Sequence, residues 1–184
     1  MVDLLELQKH FILSHLTEGD TAVDFTMGNG HDTQFLSETV GASGTVYAFD
    51  IQPSAIENTR RRLIDNGCPE NYTLILDSHH NAKNYVRGKV KAGMFNLGYM
   101  PGSGNRLLTT MRTTTIPAVT DALEMLADDG ILLVAIYPGH AEGESEGEEI
   151  QEMFSALSRF KICASTFKII NSPASPYFII AEKK

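Results

Sequence analysis

Apolar runs of strand length alternate with amphipathic runs of helical length along most of this chain, and that alternation limits its fold more than any other feature. Residues 21–25, 46–50, 72–77, 92–97 and 131–137 read as strands, being rich in β-branched and aromatic side chains. Between them, residues 31–40, 53–66, a short piece near 80–86, 109–128 and 144–158 read as helices, with Pro53 placed to start the second. Ahead of the first strand, Leu4, Leu7 and Phe11 recur at helical spacing with Leu5, Ile12 and Leu16 beside them, so residues 3–16 form an additional helix. Strands separated by helices pair in parallel through right-handed crossovers. The tail differs: runs at 160–170 and 176–182 are joined only by residues 171–175, too short for a crossover, so they pair antiparallel at one edge. The expectation is one domain over residues 1–184 of α/β class. Its sheet is doubly wound, seven-stranded and mostly parallel, with an antiparallel edge hairpin and an extra N-terminal helix.

Other classes are excluded by what the chain lacks. Its two cysteines, Cys68 and Cys163, lie far apart with no C-x-x-C pair, which removes a disulfide scaffold, a zinc ribbon and an iron–sulfur cluster. No metal site is expected, and a reducing cytoplasm is the expected compartment. Asp3, Glu6 and Lys9 interrupt the leucines of the first helix, so it does not read as a signal peptide. No window approaches the roughly 20 apolar residues that span a bilayer, so no membrane partner is expected.

The formal charge of -8 argues against a polyanionic partner, but its distribution does not. From Ser78 through Thr120 there is no Asp or Glu, while Lys83, Arg87, Lys89, Lys91, Arg106 and Arg112 fall within those 43 residues. That stretch fits a phosphate-bearing substrate. Six acids between Glu142 and Glu152 fit the solvated start of a helix.

Ligands of such sheets sit outside the carboxyl ends of the strands. The first strand runs into Val23-Asp-Phe-Thr-Met-Gly-Asn-Gly30, then a helix beginning His31-Asp-Thr33. Gly28 and Gly30 let the backbone approach a ligand, and the helix start offers free N–H groups. A dinucleotide motif wants a third glycine where Thr33 stands. Asp24, four residues before Gly28, either contacts a cationic amino-acid moiety or holds the turn, which favours S-adenosylmethionine. Asp50, ending the second strand, is placed for ribose hydroxyls, and Asp77-Ser78-His79, ending the third, for the adenine amine.

After the fourth strand, Asn96-Leu-Gly-Tyr99 resembles the Asn-Pro-Pro-Tyr loop of amino-group methyltransferases, with Leu97 and Gly98 in place of the prolines. Asn96 would orient a target nitrogen and Tyr99 would stack on a base. Neither cysteine sits at a strand end as a nucleophile for methylation at carbon, so nitrogen or oxygen is the acceptor. His140, in Tyr137-Pro-Gly-His140, is a substrate contact or a base. Thr109, Thr110 and Thr113 to Thr115 cap a helix or bind substrate phosphate.

Taken together, residues 23–33, 49–52, 77–79, 96–101 and 137–140 resemble the small class I methyltransferases of the rRNA methylase type, the YtqB-like family. The family includes the tRNA 5-aminomethyl-2-thiouridine methyltransferases. The resemblance implies a Rossmann-like methyltransferase sheet and S-adenosylmethionine held by Asn29, Asp32, Asp50, Gln52, Ser78 and His79, with S-adenosylhomocysteine as product. It also implies that the acceptor is RNA, namely the anticodon arm of a tRNA, and the amine of 5-aminomethyl-(2-thio)uridine at its wobble position. An rRNA substrate, a small-molecule acceptor and a non-catalytic RNA-binding module are the alternatives. A homodimer would supply additional substrate surface.

Overall fold

The structure, a computed structural model, describes residues 3–98, 110–138, 141–172 and 174–184, without the side chains of 141–144. In chain order the elements are α1 (Leu4–Leu13), β1 (Thr21–Asp24), α2 (His31–Val40), β2 (Thr45–Asp50), α3 (Pro53–Asp65) and β3 (Tyr72–Leu76). A 3-10 helix (His79–Asn84), β4 (Val90–Leu97), α4 (Arg112–Met125), β5 (Leu126–Ile136), α5 (Ala141–Ser155), β6 (Ile162–Phe167) and β7 (Tyr177–Lys183) follow. The strands form one sheet in the order β3-β2-β1-β4-β5-β7-β6. The first five pair in parallel, and β7 runs antiparallel to both β5 and β6.

The antiparallel tail is therefore present, but its last strand is not the edge. Tyr177 through Ala181 are all buried, as a strand covered on both faces requires, whereas β6 is half-exposed throughout and takes the rim. The largest boundary difference is at β5: α4 stops at Met125 and β5 begins at Leu126, five residues before the expected start, while α5 runs three residues earlier than its expected span and β6 is shorter at both ends than the run 160–170. Val90 pairs with Leu126 and Ala92 with Ile131, so a bulge lies between them, where Asp129 adopts a positive φ of 58°. Bulges carry no period-2 signal, which is why the sequence reads as helix there.

Because successive residues of a strand face opposite sides, β4 feeds two cores. Phe95 joins Phe25, Phe49, Leu123, Ile150 and Phe154 on one face, while Met94 joins Ile12, Leu36, Val40, Phe178 and Ile180 on the other. Gly93 makes room within this packing, since a Cβ there would stand 3.0 Å from the Phe25 ring. Phe25 and Phe95 stack with centroids 4.2 Å apart, an arrangement worth about 0.5–1.5 kcal/mol beyond its buried area.

The chain's first helix is tied to its last strands. Phe11 of α1 packs against Phe167 of β6 at 4.7 Å and Phe178 of β7 at 6.1 Å. His15, just past α1, contacts the Asp129 carbonyl at 3.0 Å and Glu182 Oε1 at 3.2 Å.

Candidate active site

The turn from β1 into α2 is shaped by its own backbone and clamped by α3. Met27 N donates to Phe49 O at 2.9 Å and Gly30 N to Met27 O at 2.7 Å, with Gly28 and Gly30 at φ of 49° and 79°. Both angles favour glycine. A Cβ on Gly30 would also stand 2.9 Å from the Thr59 Cα, so α3 leaves no room for one. From α3, Thr59 Oγ1 donates to Gly28 O at 3.2 Å, Asn58 Nδ2 to Asn29 Oδ1 at 3.1 Å and Arg62 Nε to Asn29 O at 2.7 Å. These three clamps carry no motif in the sequence, because they act across 29 to 33 residues.

Asp24 lies beneath this turn, fully buried, with Thr26 N donating to Oδ1 at 3.1 Å and Thr33 Oγ1 to Oδ2 at 2.6 Å. Of its two expected roles, the geometry matches holding the turn. Thr33, where a dinucleotide fold has glycine, is the residue that completes it. Burial, with a smaller push from nearby Asp32, raises the Asp24 carboxyl to about 7.

Asp50, at the end of β2, accepts Gly28 N at 3.0 Å and Gln52 N at 2.9 Å, and burial raises its pKa. It therefore joins the glycine turn to the start of α3, where Gln52 is the N-cap. One strand further out, Asp77 accepts Asn81 Nδ2 at 2.9 Å, Tyr85 Oη at 2.8 Å and Ser78 N at 2.7 Å. Those hydrogen bonds, Asn81's foremost, hold its pKa below the ordinary carboxylate value. Ser78 caps the 3-10 helix by accepting His80 N. His79 reaches back toward β1, and its Nδ1 lies 3.2 Å from Phe25 O. A carbonyl only accepts, so Nδ1 carries the proton. Burial lowers this histidine to about 4, which leaves the ring neutral at pH 7 with a buried Nε2 lone pair that has no partner among the described residues.

At the end of β4, Asn96 is held from two sides by the glycine turn. Its backbone N donates to Thr26 Oγ1 at 2.7 Å, and its Nδ2 to Asp32 Oδ2 at 2.6 Å. Burial raises the Asp32 carboxyl. Tyr137, immediately beyond β5, also senses this centre: burial and then the Asp32 charge raise its hydroxyl pKa. A Cβ on Gly98 would meet the Tyr137 Cβ at 3.9 Å, so the ends of β4 and β5 are adjacent there. The strand-end position of Tyr137 was visible in sequence, but its proximity to Asp32 was not. Asp24, Gly28, Asn29, Gly30, Asp32, Asp50, Gln52 and Asn96 thus gather around one turn, with Asp77, Ser78 and His79 beside it. Tyr99 and His140 lie outside the described residues.

The acid-free stretch does not make a basic face as a whole. Lys83 pairs with Asp121 at 2.6 Å and Glu124 at 2.7 Å, Lys91 with Asp129 at 3.1 Å, and Lys89 Nζ donates to Glu124 O at 3.2 Å. Acids distant in sequence return on α4 and the β5 bulge to meet these lysines. The Lys89 and Lys91 pairings lie at the amino ends of β4 and β5, opposite the glycine turn, and Lys83 joins the 3-10 helix to α4. Among the described residues, no three His, Cys, Asp or Glu side chains gather as metal ligands, and no helix is long and apolar enough to cross a membrane.

Residues 46–183 match the family described as "Putative rRNA methylase". The chain is 33% identical over 180 residues to a chloroplastic tRNA (mnm(5)s(2)U34)-methyltransferase of Arabidopsis thaliana, covering 92% of this chain and 65% of that protein's own length. A crystal structure described as a putative rRNA-methylase from Clostridium thermocellum superposes with TM-score 0.95 at 39% identity, covering 100% of this chain and 99% of that one. A putative methyltransferase from Streptococcus mutans, solved in complex with S-adenosylhomocysteine, gives TM-score 0.90 at 32% identity, again over 100% and 99% of the two chains.

Proposed function

The chain belongs to the rRNA methylase family of S-adenosylmethionine-dependent methyltransferases, and we propose that it methylates RNA, specifically the amine of 5-aminomethyl-(2-thio)uridine at the wobble position of a tRNA. The observation that carries this reading is the Asn96 amide, held beside Asp32 at the junction of β4 with the glycine turn. S-adenosylmethionine, when bound, supplies an electrophilic methyl group on a sulfonium.

The residues present fit that cofactor. Each Asp50 oxygen retains a second lone pair for a ribose hydroxyl while accepting its backbone N–H. The buried Nε2 of His79 is an acceptor without a partner among the described residues, suited to an amine such as that of adenine. Gly28, Asn29 and Gly30 form the backbone cradle, Asp32 carries negative charge for the methionine moiety, and Gln52 and Ser78 line the neighbouring strand ends. Asp77 shapes the third strand end, and Asp24 supports the cradle from beneath.

Asn96 accepts an N–H of the substrate amine and aims its lone pair. The nitrogen attacks the methyl carbon, the N–C bond forms as the S–C bond breaks, and the ammonium product loses one proton. His140 receives that proton or contacts the substrate, and Tyr99 stacks on the uracil ring. Alignment of this kind supplies much of the rate of an in-line displacement. The anticodon arm is the partner, a second copy of the chain would extend the surface that holds it, and Cys68 and Cys163, both free thiols, suit a reducing cytoplasm.

The test is transfer from labelled S-adenosylmethionine to total RNA from cells lacking this gene, followed by digestion to nucleosides and mass analysis. Label in tRNA as a methylated aminomethyluridine is expected. Label confined to rRNA would favour the substrate that the family description names, and cofactor binding without RNA labelling would shift the assignment to a small-molecule acceptor.

A further inference from the structure

Asn96 has one amide and two chemically opposite ends. The Nδ2 end donates to Asp32 Oδ2 at 2.6 Å, and the backbone N of the same residue donates to Thr26 Oγ1 at 2.7 Å. Thr26 and Asp32 flank the glycine turn, so both the main chain and the side chain of Asn96 are anchored to the element that forms the cradle. An ionised carboxylate has no hydrogen to give, so it can face only the nitrogen end of the amide. Asp32 in turn sits in the first turn of α2, where the helix dipole favours negative charge and where Gly30, as N-cap, offers no competing side chain.

From this geometry we infer that Asp32 is a positioning residue for methyl transfer: by taking the Asn96 Nδ2 hydrogen it leaves Oδ1 as the face offered to the substrate, so that the site admits a nucleophile that carries a hydrogen. The inference rests on the proposed transfer to nitrogen at the end of β4. Its chemical content is an asymmetry between the two amide orientations. With Oδ1 presented, an amine donates one N–H and keeps its lone pair for the methyl carbon. With the amide flipped, Nδ2 would donate into that lone pair and withdraw it from the reaction. Asp32 therefore excludes an inhibitory orientation as well as fixing a productive one.

Asp32→Asn is nearly isosteric and lets the Asn96 amide adopt either orientation. At saturating S-adenosylmethionine and tRNA, its kcat is expected to fall about 100-fold, the scale of a misoriented reacting group. S-adenosylhomocysteine affinity, measured separately by calorimetry, should also fall, because the Asp32 charge faces the methionine moiety, but by less than kcat. Combining Asp32→Asn with Asn96→Asp reverses the pair, the amide at position 32 donating to one carboxylate oxygen at position 96 while the other faces the substrate amine, and should recover at least tenfold of the lost kcat. Retention of full kcat in Asp32→Asn overturns the inference. So does a double variant no faster than Asp32→Asn, or a loss of kcat matched by an equal loss of cofactor affinity.

A second readout needs no substrate. The side-chain amide pair of Asn96 in a 1H–15N spectrum, assigned by its disappearance in Asn96→Asp, should be slow to exchange with solvent in the wild type and fast in Asp32→Ala. Equal exchange in both overturns the inference. If the wild type labels no RNA while the amide pair is protected, the wobble-amine assignment fails and the Asp32 anchor stands.

Discussion

Asp24 and His79 are both buried close to Phe25, and burial acts on them with opposite sign in pH. The Asp24 carboxyl is raised from 3.8 to about 7, so the folded chain keeps a proton that the unfolded chain releases. Its contribution to stability is whole below about pH 4 and fades as pH rises to about 7. His79 is lowered from 6.5 to about 4, so the unfolded chain takes a proton that the folded chain refuses. Its contribution is whole above 6.5 and is lost as pH falls toward about 4. Over the shared window the two slopes oppose each other. Urea unfolding at about pH 4.5 and 6.5 should show Asp24→Asn gaining stability with pH relative to the wild type, and His79→Gln losing it, each by up to about 1.4 kcal/mol per pH unit. Identical slopes in all three proteins would remove both residues from the pH dependence. Asp50→Ala should weaken S-adenosylhomocysteine binding at least tenfold, about 1.4 kcal/mol, with the far-ultraviolet circular dichroism unchanged; unchanged affinity would take Asp50 out of the ribose role. Strand-end residues such as Asp50 and Asn96 were legible in sequence because their positions follow from where strands stop. The choice between Asp24's two roles was not, since it depends on burial and on Thr33.

At the scale of elements, the β1–α2 turn and α3 behave as one unit. Gly30→Ala places a Cβ at φ 79° and 2.9 Å from the Thr59 Cα, so backbone must move. The left-handed conformation and the overpacking together should cost about 2–4 kcal/mol, read as a lower urea midpoint along with weakened cofactor binding. A variant as stable as the wild type would show that the turn is not braced by α3. Parallel strands and their helices could be read from periodicity, yet the braces from Asn58, Thr59 and Arg62 could not, because hydrogen bonds between sequentially distant elements leave no period. The charge pattern shows the same limit, since it cannot tell which of its lysines are paired. Residues 78–120 contain no acid, but Asp121, Glu124 and Asp129 follow just beyond and fold back onto Lys83 and Lys91. Lys83→Ala and Lys91→Ala should therefore leave RNA affinity and its salt dependence unchanged, whereas a lysine contacting phosphate would lower the salt slope by about one. A measured drop would put that edge of the sheet back into the RNA interface.

At the scale of the whole molecule, one apolar layer is closed by groups from opposite ends of the chain. Phe11, Phe167 and Phe178 pack together, and Phe178 and Ile12 are fully buried. Phe178→Ala should cost about 3–5 kcal/mol and accelerate amide exchange in α1 as well as β7; exchange confined to β7 would mean that the helix is held independently. The doubly wound class was legible from the alternation of elements, but the seating of β7 inside β6 was not, because it turns on which tail strand is apolar on both faces. This seating also dictates a timetable during synthesis. Synthesis reaches α1 long before the tail strands, so the side of Phe11 that meets Phe167 and Phe178 stays uncovered while more than 150 residues are added, even though β1, α2 and β5 already cover other parts of the same layer. A chain halted before Tyr177 already holds every residue of the glycine turn, yet it leaves β5 without its antiparallel neighbour and Phe11 without Phe178, so the last strand made is the one that seals the flank opposite β3.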